Sequence, residues 1–170
     1  MKKTLLLIVF IPLCTLLYGQ DYPVPSEYKM EAKEDYKPYE LQIRSTIDWY
    51  LAQPSAANTP KRQEAAAFLM KWLTGTPDVS INLNMDLGLG EIIKKNGDLL
   101  LPFILGWVKY SLDNDHSKDD ILGYKAGLET MVAYYNSNKK SLQKDKNVEK
   151  YDKLIKKGEL EEEVRKLFKK

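Results

Sequence analysis

Apolar residues recur along most of this chain at three- and four-residue spacing, the repeat of a helix that buries one face. Tyr39, Ile43, Ile47 and Tyr50 make one such face, widened by Trp49 and Leu51. Pro38 is placed to be its first helical residue and Pro54 to stop it, because proline lacks the N–H that only a helix interior needs. Thr59-Pro60 reads as the cap and first residue of a second helix, with Ala65, Ala66, Phe68, Leu69, Trp72 and Leu73 inward and Gly75 and Pro77 at its end. From Leu99 to Val108 every residue is apolar, Pro or Gly. That run falls short of the about 20 residues a membrane span needs, so it predicts a helix over 98–112 that is buried on most sides. Asp98 is its expected cap, and Pro102 falls in or near the first turn. Gly106 costs about 1 kcal/mol relative to alanine inside a helix, which predicts a neighbour packed close against it.

Ser117-Lys118-Asp119-Asp120 resembles a capping box, and the helix after it should run to about Asn136. Its stripe is Ile121, Tyr124, Leu128, Met131, Val132 and Tyr135, and Gly123 and Gly127 lie one turn apart, open to the close approach of the central helix. A short helix within 85–95 turns Leu89, Ile92 and Ile93 inward. Two more close the chain: Val148, Tyr151, Leu154 and Ile155 mark one, stopped by Gly158, and Leu160, Val164, Leu167 and Phe168 mark the other. The last has acids in its first turn and bases in its last, complementing the helix dipole. One segment breaks the pattern. Val79-Ser80-Ile81-Asn82-Leu83-Asn84 alternates apolar and polar residues, the period of a strand. A lone strand leaves its ladder groups unpaired, so the segment reads as an extended connector with one side on the core; the alternative is an edge that pairs with a partner strand. The fold class is therefore all-α: a single domain over 38–170, a bundle of six or seven helices around the central one, with a core from Ile43, Phe68, Trp72, Leu101, Ile104, Trp107, Leu128 and Met131.

The first 19 residues change the picture. Lys2 and Lys3 precede an apolar run from Leu5 to Leu17, and Gly19 is a small residue suited to cleavage before Gln20. That is the layout of a secretory signal peptide, with export to the periplasm or the exterior. A retained anchor is the alternative; lipidation at Cys14 is disfavoured because Pro12 and Leu13, neither of them small, precede it. Residues 20–37, with Pro23 and Pro25, read as an extended Tyr-containing arm that drapes over the body. Cleavage would remove the one cysteine, and with it any disulfide or thiolate metal site. It would also remove Lys2 and Lys3, so the formal charge of +2 belongs to the leader and the remainder is balanced. A balanced charge argues against nucleic acid as partner. The balance is uneven: residues 139–170 hold 12 Lys and Arg against 7 Asp and Glu. The acids are interleaved there, which reads as a solvated helical face against an acidic body; the alternative is a basic tail meeting an anionic surface.

Catalytic signatures are missing. His116 is the only histidine, no G-x-S-x-G elbow presents a serine, and neither the Walker motif nor the dinucleotide fingerprint is found around Gly88-Leu89-Gly90. Zinc sites usually draw on several His or Cys ligands, so no metal or cofactor is expected. Asp113–Asp119 superficially resembles a calcium loop, but the positions that require Gly and Glu hold Lys118 and Tyr124; weak calcium binding by oxygen ligands stays open. Nothing in the spacing singles out a carboxylate pair for glycoside hydrolysis. Trp49, Trp72 and Trp107 sit at helical spacing and read as core before they read as a sugar-stacking platform. Tyr22, Tyr28 and Tyr36 fit a helical face less clearly and are the candidate exposed contacts, together with Val79, Ile81 and Leu83. The expectation is an exported, non-enzymatic helical protein that binds another protein or a component of the bacterial envelope. The alternatives are a carboxylate-dependent hydrolase of an envelope polymer and a small-molecule or sugar carrier with an aromatic pocket.

Overall fold

The computed structural model describes residues 22–169; the signal-peptide reading of Met1–Gly19 lies outside them. Among the described residues there are seven α-helices and no strands, packed as one all-helical domain. They are α1 (Glu40–Ala52), α2 (Pro60–Gly75), α3 (Leu89–Lys95), α4 (Leu100–Asp113), α5 (Asp120–Ser137), α6 (Lys146–Lys157) and α7 (Leu160–Leu167). None of them is long and apolar enough to cross a membrane.

α4 is the buried centre: Pro102 through Val108, Ser111 and Leu112 are all buried. Its principal partner is α5, and glycines set the approach. A Cβ on Gly106 would stand 2.7 Å from the Ala126 carbonyl oxygen, and one on Gly127 would stand 2.8 Å from the Phe103 carbonyl oxygen. Gly123 faces the indole of Trp107, with room for no side chain between them. The missing Cβ atoms of Gly106 and Gly127 let the two backbones meet, and that of Gly123 admits the indole. Phe103, Trp107 and Tyr124 fill the space beside this seam, edge to face in pairs, with centroids 5.0–6.1 Å apart, an arrangement that adds about 0.5–1.5 kcal/mol per pair beyond burial. Of the expected core, Leu101 alone is only partly buried.

Three starts differ from the sequence reading. A 3₁₀ turn at Lys37–Tyr39 takes Pro38, and α1 begins at Glu40. Asp98 sits in another such turn, Gly97–Leu99, and does not cap α4. Asp119, rather than Ser117, caps α5: its Oδ1 accepts the N–H of Ile121 and of Leu122 at 3.0 and 2.9 Å. In each case a tight turn or a second polar side chain meets the orphan N–H groups one or two residues from where the pattern places them.

The arm from Tyr22 to Lys37 lies on the body and is held through side chains. Val24, Met30 and Tyr36 are buried. The Tyr36 carbonyl accepts the indole N–H of Trp72 at 2.9 Å, and the Tyr36 ring packs on Gly75 at the end of α2.

Candidate functional site

The chain leaves regular structure between α2 and α3, and here the alternating segment lies. None of the backbone N–H or C=O groups from Val79 to Leu83 is hydrogen-bonded within the described residues. The backbone is extended at both flanks, with ψ of 134° at Thr76 and 103° at Asn84. Val79 is buried, Ile81 is half-buried and Leu83 is 42% exposed. With Met70 and Leu73 of α2 and Ile104 of α4 they line a groove of about 320 Å³. Met70 in its wall is 38% exposed, and Met85, two residues beyond Leu83, is 40% exposed. Apolar side chains this exposed, next to backbone left unbonded among the described residues, mark the segment as a candidate contact surface.

The three tyrosines divide. Tyr36 is buried, and its hydroxyl donates to the Met30 carbonyl at 3.2 Å, so it presents no surface. Tyr22 meets Trp49 edge to face at 5.0 Å, and its hydroxyl donates to Glu64 at 2.8 Å. Burial first, and the Glu64 carboxylate second, push that phenol well above its ordinary pKa. Tyr28 packs on Phe68 and Tyr39 yet stays 38% exposed. Tyr22 therefore fastens the arm, and Tyr28 is the one aromatic of the three left facing solvent. The tryptophans are buried, Trp72 fully, which removes them as a stacking platform.

A second feature was not legible in the sequence. Glu40, Arg44 and Asp48 stand one turn apart along α1 and engage the far end of α4 and the loop after it. Arg44 pairs with Asp113 and donates to the Leu112 carbonyl. Lys109 reaches Asp48 at 2.7 Å, and His116 Nε2 lies 2.8 Å from Glu40 Oε1. The loop aims His116 at α1 by taking two consecutive residues, Asp115 and His116, into the left-handed region, with φ of 49° and 59°. That conformation costs roughly 1–2 kcal/mol for a residue with a side chain. Asp78, at the start of the alternating segment, completes the group: one ligand-capable atom each from Glu40, Asp78 and His116 lie within 4.8 Å of one another. The Asp78 carboxylate has no hydrogen bond or ion pair among the described residues.

The basic C-terminal region is largely paired. Lys150 meets Glu163, Lys156 meets Asp152, Arg165 meets Glu161 and Lys166 meets Glu162. Lys94, Lys95, Lys144 and Lys146 line an open cleft of about 600 Å³ between α3 and the start of α6, together with Glu91 and Asp145.

No family model matches the chain, and no curated protein or solved structure matches it. The fold and the surfaces above therefore define a class only: an all-helical single domain with an apolar groove beside backbone that is unbonded among the described residues.

Proposed function

We propose that this is a non-enzymatic binding protein whose contact face is the groove beside Val79–Leu83, and whose partner presents an extended peptide segment. The observation that carries the reading is the free backbone of Val79–Leu83 running alongside exposed Leu83, Met70 and Met85. An incoming extended chain would pair with those N–H and C=O groups, and its alternate side chains would enter the groove over Ile81 and Val79. Pairing of this kind satisfies backbone groups and apolar surface together, so neither partner needs a large interface. The pattern of Met1–Gly19 supports action outside the cytoplasm, on a protein of the envelope.

A photo-crosslinking residue placed at Leu83 in the native cell tests this. One discrete adduct is expected from Leu83, absent when the same residue replaces exposed Lys140, and lost when Ile81→Asp is added. Equal labelling from Leu83 and Lys140, or an adduct that survives Ile81→Asp, would count against the groove.

A further inference from the structure

We propose that Glu40, Asp78 and His116 form a site for one divalent first-row transition-metal ion, with its remaining coordination positions open to water or an external ligand. The site does not depend on the binding role of the groove. Its three side chains come from the first residue of α1, the segment after α2 and the loop between α4 and α5, so only the folded chain assembles it. The imidazole distinguishes it from an ordinary acidic patch: a neutral histidine nitrogen with two carboxylate oxygens is a donor set that suits zinc, nickel or copper, whereas magnesium and calcium take oxygen ligands alone.

Charge supports the same occupant. Glu40 and Asp78 bring two carboxylates within 4.8 Å, and the imidazole of the group contacts Glu40. Among the described residues Asp78 has no ion pair. A divalent ion would neutralise both carboxylates at once. It would replace the direct contact between His116 Nε2 and Glu40 Oε1, 2.8 Å apart, since a metal with bonds of roughly 2.0–2.2 Å holds its ligands about 3.4 Å apart. Glu40 and His116 would open slightly and Asp78 would swing inward. Both motions belong to half-buried side chains. A count of His and Cys ligands alone argues against zinc; here two carboxylates make up the number.

The single histidine supplies the readout. The full chain, purified without a histidine tag, is titrated with zinc about one unit above the ordinary histidine pKa, and the ¹⁵N resonances of the imidazole are followed. A saturable change at one equivalent is expected, with magnesium at the same concentration silent. Outer partners of metal ligands typically contribute 10–100-fold in affinity, so loss of a direct ligand in Asp78→Asn or Glu40→Gln should weaken zinc binding by at least about tenfold. Lys118→Ala should leave it unchanged. Asp78→Asn gives up no hydrogen bond or ion pair of the carboxylate among the described residues, so it is the milder of the two changes and carries the test even if Glu40→Gln does not fold. A change that fails to saturate, or one of equal affinity in Asp78→Asn, would show a lone surface histidine and overturn the site.

Discussion

Gly127→Val should destabilise the protein by about 3 kcal/mol, near the upper end of the range for overpacked cores, while Gly97→Ala should leave it level or slightly more stable. Both changes relieve the entropic cost of glycine, and on helix propensity alone both ought to help. Their surroundings decide the sign. The first added carbon at 127 would meet the Phe103 ring and the Phe103 carbonyl oxygen, each at 2.8 Å. That oxygen is backbone within α4 and cannot rotate away, so α4 and α5 must separate. Separation loosens Phe103, Trp107 and Tyr124 together. At Gly97 nothing lies within 4 Å of the added carbon. Urea denaturation at constant slope measures both. If the two variants lose stability equally, close approach of α4 and α5 is not what the glycine at 127 provides.

Asn138→Ala should cost about 2–3 kcal/mol. Asn138 is 7% exposed and lies just past the end of α5. Its amide oxygen accepts the N–H of Ser55 at 2.8 Å, and its amide nitrogen donates to the Tyr134 carbonyl at 2.8 Å. One side chain thus ties the loop between α1 and α2 to the last turn of α5. A net hydrogen bond contributes roughly 1 kcal/mol, and a buried donor left unpaired costs about 1–3 kcal/mol; Ser55 is buried, so water does not easily take over. Asn136→Ala is the contrast. It removes a bond of 2.9 Å to Asp152 at the exposed surface, where such changes stay within about 0.5 kcal/mol. Equal losses at 136 and 138 would mean that the buried link to Ser55 adds nothing.

The helical repeat and its partners were legible because they are local or nearly so. Gly123 and Gly127 share a face at helical spacing, and the one long apolar run was the obvious helix to approach them; Gly106, on that run, predicted the contact from the other side. Val79–Asn84 was legible as an oddity, and its extended course followed from its period. What stayed hidden depends on contacts between distant residues. Tyr36 reads as exposed because it fits a helical face less clearly, yet Trp72 and Gly75, far along the chain, bury it. Glu40 and Arg44 stand at a spacing that signals one helical face, but nothing local says that His116 and Asp78 converge on Glu40. The left-handed turn at Asp115 and His116 that brings the imidazole there has no glycine to announce it.

The free backbone of Val79–Leu83 also divides the molecule. On one side lie the arm, α1 and α2; on the other lie the five helices from α3 to α7. Amide protons in this stretch should be among the first to exchange with solvent, since no acceptor within the described residues holds them. A protease that cuts there would sever the covalent link without opening a helix. The two pieces would then stay together through Arg44, Asp48 and the packing of α1 on α4, so a nicked protein should elute as one particle and come apart only in denaturant.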